Sequence, residues 1–212
     1  FNWYRGYQLG GRSLTWGRQS LRRSEADFEA NKKDGHGVDW PIRYVDVAPW
    51  YDYVEEFIGI SGQAEGMASM PDGKFTPPMA LNCVEKHLKG VIEEKFPGRV
   101  LTNGRTANLT VKKEGRGLCQ SRSQCDRGCS WGGYFSTQSS TLPAAKKTGR
   151  LTVMTDTRVV NINYDPASKR ASGVNVINEK TRDTKSYTAR TVFLCASTFN
   201  SIQLLQQSSS EQ

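Results

Sequence analysis

Residues 10–17 read Gly10-Gly11-Arg12-Ser13-Leu14-Thr15-Trp16-Gly17, and this stretch carries most of the information about the fold. Its glycines leave backbone amides without side chains over them, and Ser13 and Arg12 add a hydroxyl group and a positive charge. Such a segment can approach a pyrophosphate or an aromatic ring system closely. A pair of glycines also fits an ordinary turn, so the rest of the chain has to decide between the two interpretations.

Cap and stop residues around this loop predict the helices. Residues 1–20 show neither helical nor strand periodicity and predict an extended loop. Asp46 is the expected cap of an amphipathic helix that ends at Gly59, and the proline-containing residues 61–80 predict a loop. The other predicted helices span residues 24–33, 82–96, 139–148 and 200–206.

Short runs rich in β-branched residues predict the strands. A strand pair is expected around residues 100–102 and 107–111. From Leu151 onward the pattern is that of a β-meander, with turns such as Asp165-Pro166 between its runs. Its expected strands are residues 151–155, 157–164, 171–178, 185–189 and 191–195.

Length and composition are those of an ordinary globular protein. With 212 residues, 36% of them hydrophobic and 24% charged, the chain does not belong to the disordered or collagen-like classes. No apolar run reaches the roughly 18–20 residues that span a bilayer, and the first residues do not form an export signal. The first residue is not methionine and residues 208–212 are polar, so both ends are expected to be cuts.

The net charge of +8 raises the question of a polyanionic partner. The 29 basic residues are dispersed, and even the dense group Arg18–Arg23 is interrupted by polar residues. We therefore expect solvated surface and no nucleic-acid-binding face. A phosphate-bearing cofactor would account for part of the positive potential.

Three segments together resemble the glucose-methanol-choline oxidoreductases, nearest the branch with pyranose oxidase and the gluconate and fructose dehydrogenases. Residues 10–17 resemble the family's flavin-contacting loop. Residues 149–164 resemble the strand pair that meets the adenine, and residues 192–205 the strand and helix that return to the dinucleotide. The resemblance covers nearly the whole chain and is to the central part of such an enzyme.

The resemblance implies an α/β fold, namely part of an FAD-binding domain with its β-meander, interrupted by helical and irregular material of a substrate or cap region. The expected parts are a flavin-contacting loop with the following helix (1–40), a cap region with the cysteine loop (41–148), and a portion of the FAD-binding domain (149–212). The implied function is oxidation of a CH–OH group of a sugar or polyol, with hydride transfer to FAD. The family's catalytic base is expected beyond Gln212, so no catalytic residue is assigned in this chain.

The same resemblance names the cofactor-binding residues. Gly10, Gly11, Ser13 and the run Leu14-Thr15-Trp16-Gly17 would contact the flavin and pyrophosphate, and Val159 would offer its backbone to the adenine. In pyranose oxidase a histidine at the position of Thr15 is covalently bonded to the flavin, and threonine cannot make that bond. Non-covalent FAD is therefore expected.

Ala196 and Ser197 complete the predicted cofactor site. They follow the expected buried strand 191–195, and ligands of open α/β sheets sit at the carboxyl ends of strands. The alternative is that these two small residues only begin a turn.

Cys119, Cys125 and Cys129 form a C-x5-C-x3-C pattern, and the total of five cysteines does not suggest a disulfide framework. Soft sulfur ligands suit iron–sulfur clusters or zinc, but a zinc site lacks a nearby fourth ligand. The spacing resembles the three-iron cluster loop of some sugar dehydrogenases of this family, which implies electron transfer to an acceptor subunit. An unfilled or disulfide-bonded loop is the alternative. A second functional hypothesis is thus an iron–sulfur electron-transfer or interaction module without oxidation chemistry of its own.

Other candidate residues are assigned to structure. His36 and His87 are expected at the surface, because one lies between glycines and the other beside lysines. The aromatic residues around the second helix are expected to be mostly core, with a sugar-site role as the alternative. They are Trp40, Trp50, Tyr51, Tyr53 and Phe57. Trp131, Tyr134 and Phe135 are left undecided between these roles.

Overall fold

The computed structural model of the chain describes residues 6–208, so the starting residues 1–5 and the tail 209–212 lie outside the described residues, as does the side chain of Asp126. The described chain divides into two compact units, one ending at Leu151 and the other beginning at Thr152. The first unit contains a 3-10 helix at Gly11–Leu14, α1 at Glu25–Asp34, α2 at Tyr44–Ile58, α3 at Cys83–Lys95, a 3-10 helix at Cys125–Arg127 and α4 at Thr141–Lys147. The second contains β1 at Thr157–Asp165, β2 at Arg170–Asn178, β3 at Thr184–Thr188 and α5 at Thr198–Gln207.

All five predicted α-helices are present, and local sequence explains where they begin. Ser24 begins α1, since its backbone N–H donates to the Asp27 carboxylate at 2.7 Å. Asn82 begins α3, and its side chain accepts the Glu85 N–H at 3.0 Å. Gly35 ends α1 in the left-handed conformation that a helix C-terminus favours.

The start of α2 differs from the prediction by a few residues. Arg43 is its N-terminal cap, and Asp46 lies three residues later, where its carboxylate accepts the Arg43 N–H at 2.7 Å. Asp46 therefore acts from within the first turn as the second half of a capping box. The helix ends at Gly59, whose φ of 79° confirms the predicted stop.

The apolar stripe of α2 is not core. Glu55 is the buried residue of this helix, whereas Trp50, Tyr53 and Phe57 are exposed, as is Trp40 before the helix. The prediction of a mostly buried aromatic set was therefore wrong. A salt bridge, described below, holds the other face of α2 against the unit, so helical periodicity identified the helix but not its buried side.

The core of the first unit forms around residues 105–109, where Ala107 and Leu109 are fully buried. The backbone N–H of Ala107 donates to Arg18 O at 2.9 Å, and Leu109 N–H donates to Gly133 O at 2.9 Å. The predicted strand pair of residues 100–102 with 107–111 was wrong. Isolated bridges join residues 106 and 108 to three separate segments instead, because backbone pairing is decided by tertiary contacts that lie far apart in sequence.

The second unit is an antiparallel three-stranded sheet in the order β1-β2-β3, with α5 packed on β1. Ile162 N–H donates to Ser208 Oγ at 2.8 Å, and Val176 and Leu204 are buried. The central part of the predicted meander is thus confirmed. With the helices of the first unit, the chain has the predicted α/β composition.

The outer two predicted strands of the meander were wrong. Neither residues 151–155 nor residues 191–195 form a strand within residues 6–208, and Phe193 and Cys195 are exposed instead of buried. Val192 and Leu194 are half-buried between exposed neighbours, so the alternation of a strand is present without a hydrogen-bonded partner.

Candidate functional site

The loop at residues 10–17 begins with two glycines in left-handed conformations, Gly10 with φ 95° and Gly11 with φ 50°. Glycine adopts these angles at low energetic cost, so the backbone conformation of the loop explains why glycine stands at both positions. No heavy atom beyond its chain neighbours lies within 4 Å of the position that a Cβ would take at Gly17. The loop therefore exposes backbone to close approach at its far end.

Ser13 docks this loop on residues 134–138. Its hydroxyl donates to Gly10 O at 2.6 Å and accepts the backbone N–H of Thr137 at 3.0 Å. A second contact joins the same segments, since Gln138 Nε2 donates to Leu9 O at 2.7 Å. Ser13 is thus engaged with protein, and its role in the loop is to hold the turn against its neighbour.

Arg18 is buried, and it donates hydrogen bonds to carbonyl oxygens of the loop at residues 10–17 and of the segment 134–138. Its Nε donates to Phe135 O at 2.8 Å, and its Nη2 donates to Ser13 O at 3.1 Å and to Leu14 O at 3.3 Å. Its Nη1 donates to Trp16 O. The guanidinium carbon lies 3.7 Å from the centre of the Tyr134 ring. Burial lowers the pKa of Arg18 below its ordinary value.

Arg18 and Arg22 correct the prediction that the dense basic group is solvated surface. They are 3% and 6% exposed. Arg105 and Arg116, elsewhere in the first unit, are buried as well. Each of them donates hydrogen bonds to carbonyl or carboxylate oxygens, which offset the cost of burying a guanidinium group; Arg105 Nε alone among their nitrogens is buried without a partner among residues 6–208.

Trp16 leaves a donor available in this loop. Its ring packs edge-on against Phe135, with centroids 6.0 Å apart. Its Nε1 is buried and has no hydrogen-bond partner among the described residues. Buried donors are rarely left unpaired, so this N–H fits a ligand that brings an acceptor atom, such as a flavin or phosphate. The residues of the loop therefore fit FAD.

Thr15 and Leu14 complete the loop. Thr15 is exposed, and its hydroxyl donates to Arg12 O at 3.4 Å. Leu14 is half-buried and lies 3.5 Å, through Cδ1, from the position that a Cβ would take at Gly10. Neither side chain carries a group that can form a covalent flavin bond of the histidine type.

Cys119, Cys125 and Cys129 line one small cavity of about 50 Å³, so the structure does bring the predicted cysteines together. The other walls include Asn108, whose Oδ1 is buried without a partner among residues 6–208, and Tyr134. All three cysteines are free thiols. Tyr134 thus borders both this cavity and Arg18.

The iron–sulfur prediction receives no support from this cavity. Within the described part of the chain, no three cysteine, histidine, aspartate or glutamate side chains converge in a way that could hold a metal ion. Lining a common cavity is a weaker condition than directing three sulfur atoms at one point. His36 and His87 are exposed, as predicted.

Cys129 lies in a distinctive electrostatic environment within the cavity. Burial raises the pKa of its thiol, but the influence of the nearby backbone amides of residues 131–134 lowers it by more, so the pKa lies below its ordinary value. Consecutive backbone amides near a sulfur atom favour its negative charge. The sequence signal for this environment is the pair Gly132-Gly133, whose first member has φ 66°.

In the second unit, Val159 lies in β1 beside a β-bulge. Val159 pairs with Val176 and Asn161 with Asn175, so Val160 is the extra residue. A bulge interrupts the ladder and leaves local backbone groups available to another partner. The Asn161 Oδ1 is also buried without a partner among the described residues.

Ala196 and Ser197 lie immediately before α5. Ser197 is the N-terminal cap of this helix, but its side chain makes no capping hydrogen bond. Its φ of 69° is unusual for a residue other than glycine. Both residues therefore occupy a helix N-terminus, where backbone amides favour negative charge, although the buried strand expected before them is absent.

Sequence reasoning missed Arg18 and Asn108. Arg18 was hidden in a cluster of arginines, and Asn108 in a segment expected to be an ordinary strand. The available signal for Arg18 was its position directly after the glycine-rich loop.

Comparison with known proteins decides the family. The family model described as GMC oxidoreductase matches residues 1–211. The chain belongs to the GMC oxidoreductase family. This membership confirms the resemblance of the three segments and the α/β FAD-binding architecture that it implied. The chain is also similar to paromamine 6'-oxidase of Streptomyces fradiae, with 27% identity over 205 residues and 94% of this chain covered.

The match covers 36% of that relative, so this GMC oxidoreductase chain spans little more than a third of the length of the curated protein. Among the described residues, no helix is long and apolar enough to cross a membrane.

Proposed function

We propose that this chain provides the flavin-contacting part of an FAD-dependent oxidoreductase that oxidises a CH–OH group of a sugar or polyol. The family match over residues 1–211 carries the proposal. FAD, when bound, supplies the acceptor for the hydride that leaves the alcohol carbon. The residues of this chain bind and orient it.

The loop at residues 10–17 supports the proposal on physical grounds. Gly10 and Gly11 supply the left-handed turn of the loop, Gly17 leaves its backbone open to close approach, and Trp16 offers the unpaired Nε1–H. Leu14, Thr15 and Gly17 complete the segment that would lie along the flavin and pyrophosphate. Ser13 contributes by fixing the loop on Thr137, which holds the backbone ready before the cofactor arrives.

Residues of the second unit would bind the remainder of the dinucleotide. The bulge beside Val159 favours backbone contact with the adenine. The N-terminus of α5, with Ala196 and Ser197, favours an anionic group. In this proposal residues 1–40 contain the flavin-contacting loop and the helix that follows it, residues 149–212 form a portion of the FAD-binding domain, and residues 41–148 form the substrate or cap region.

The substrate class rests on the relative. Its name describes an oxidase that acts at the 6' position of paromamine. We extend from that name only a hydroxyl-bearing, sugar-like substrate, and propose a non-covalent flavin because Thr15 stands in the loop.

The test is to express the protein from its complete coding sequence and record its visible spectrum. We expect a flavin spectrum that bleaches when a sugar or polyol is added without oxygen. A purified, folded protein that takes up no FAD would overturn the proposal.

A matched pair of variants assigns the site to the loop. Gly11→Ala and Gly35→Ala both place a side chain at a left-handed position, with φ 50° and 70°, and neither new Cβ meets a heavy atom closer than 3.8 Å. Both should therefore incur similar backbone strain. Only Gly11→Ala should weaken FAD binding. Equal FAD affinity in the two variants would show that the loop at residues 10–17 is not part of the FAD site.

A further inference from the structure

Arg18 differs from the other buried arginines that bind acids. Arg22 pairs with Asp52 and Glu55, and Arg105 pairs with Glu65 and Asp72. No carboxylate lies within salt-bridge distance of Arg18 among residues 6–208; its hydrogen bonds run to backbone carbonyls. A buried guanidinium group without a carboxylate partner is costly, so its retention requires a reason.

The position of these carbonyls provides the reason. Three of them, at Ser13, Leu14 and Trp16, belong to the loop proposed to contact the flavin, and the fourth, at Phe135, belongs to the segment on which that loop is docked. One rigid, forked cation therefore connects the loop to its support. Since it engages the carbonyl oxygens, it keeps these negative dipole ends from turning toward an electron-rich ligand.

The Tyr134 ring also contacts the Arg18 guanidinium group. It lies 3.7 Å from the guanidinium carbon, and the next residue, Phe135, supplies the accepted carbonyl. Residues 134–138 thus hold Arg18 by its planar face and hold Ser13 through Thr137. The loop is fixed at both its glycine end and its tryptophan end.

Resting on the proposed function, we propose that Arg18 is a positioning residue for FAD: it holds residues 13–16 in the binding conformation before the cofactor arrives. Removing it leaves four carbonyls without their charged donor and frees the loop. The loop must then become ordered when FAD binds, and this loss of conformational entropy weakens FAD binding. We expect roughly 10- to 100-fold weaker binding of FAD.

Arg116→Met is the control for Arg18→Met. Arg116 is also buried without a carboxylate partner in the described chain, and it donates to the carbonyls of Ile58, Gly132 and Gly133. No hydrogen bond of Arg116 reaches residues 10–17. Both variants should lower the melting temperature, so loss of stability alone does not distinguish them.

Two measurements on the complete protein do distinguish them. Hydrogen exchange of the flavin-free protein should accelerate at residues 10–17 in Arg18→Met and not in Arg116→Met. Titration with FAD should show the 10- to 100-fold loss in Arg18→Met and no more than about a twofold change in Arg116→Met. Arg18→Lys keeps the positive charge but not the forked guanidinium group. Its FAD affinity and its exchange rate at residues 10–17 should lie between those of the parent protein and Arg18→Met.

Unchanged exchange at residues 10–17 together with parental FAD affinity in Arg18→Met would overturn the inference. If Arg18→Met does not fold, Arg18→Lys decides it by the same two measurements. A parent protein that binds no FAD would overturn the proposed function instead, and the exchange measurement would still decide whether Arg18 positions the loop.

Discussion

Arg22 and Glu55 form a buried, two-pronged ion pair. Arg22 Nε donates to Glu55 Oε1 at 2.8 Å, and Arg22 Nη2 donates to Glu55 Oε2 at 2.6 Å. The same carboxylate accepts the backbone N–H of Lys74 at 2.8 Å. Hydrogen bonding to Glu55 raises the pKa of Arg22 further above its ordinary value, although burial opposes this. This pair joins the segment before α1, the helix α2 and the loop at residues 61–80.

We expect Arg22→Met to lower the free energy of unfolding by about 3–5 kcal/mol, because Glu55 is left buried and unpaired. Chemical denaturation measures this loss. The double variant Arg22→Met/Glu55→Leu should lose less than Arg22→Met alone, since the carboxylate left unpaired, Asp52, is partly exposed and can be solvated. Lys33→Ala removes an exposed pair with Glu29 on α1 and should change stability by less than about 1 kcal/mol. A similar small effect at Arg22 would contradict the importance of the pair.

Gly59→Ala should destabilise the first unit by at least about 2 kcal/mol. The residue has φ 79°, and an added Cβ would lie 2.1 Å from Leu109 Cδ2, so strain and overpacking combine. Gly90→Ala is the control within α3, where nothing lies within 4 Å of the new Cβ. That substitution should raise stability by about 0.5–1 kcal/mol. Urea unfolding of both variants tests the sign of each change, and a neutral Gly59→Ala would refute the close packing.

Cys129 should react with iodoacetamide at lower pH than a simple thiol. The thiolate is the reacting species, and a pKa lowered from its ordinary value moves thiolate formation to lower pH. Peptide mass spectrometry across a pH series gives the alkylation midpoint of Cys129, with N-acetylcysteine as the reference. A midpoint at or above that of the reference would show that the amides of residues 131–134 do not stabilise the thiolate.

Acid precipitation of the flavin-loaded protein should release the yellow chromophore into the supernatant. Thr15 offers a hydroxyl group in place of the histidine that forms the covalent bond in pyranose oxidase. The absorption of pellet and supernatant after precipitation measures the outcome. Flavin retained in a washed, redissolved pellet would contradict non-covalent binding.

Local signals made the helices predictable. The cap at Ser24, the cap at Asn82 and the stop at Gly59 act over a few residues, and each is found as predicted. The strand pairs β1-β2 and β2-β3 were also predictable, because consecutive antiparallel strands are joined by short turns. Residues 191–195 were wrongly predicted as a strand, since an alternating pattern does not by itself provide a partner strand.

The features of the candidate site could be identified from the sequence only in part. The glycine-rich loop and the three cysteines could be identified from residue type and spacing. Whether the cysteines hold a metal ion depends on the directions of their sulfur atoms, which spacing does not define. The aromatic face of α2 was misjudged because helical periodicity does not say which face is buried.

The sequence by itself determined the helices, the central meander and the resemblance of residues 10–17 to a flavin loop, because these depend on neighbours in the chain. Tertiary structure alone decided the burial and the hydrogen-bond partners of Arg18. Its carbonyl partner at Phe135 is 117 residues away, and a position directly after the glycine-rich loop does not show that such a distant contact will bury the side chain. A single charged side chain thus connects the recognisable loop to the segment that supports it.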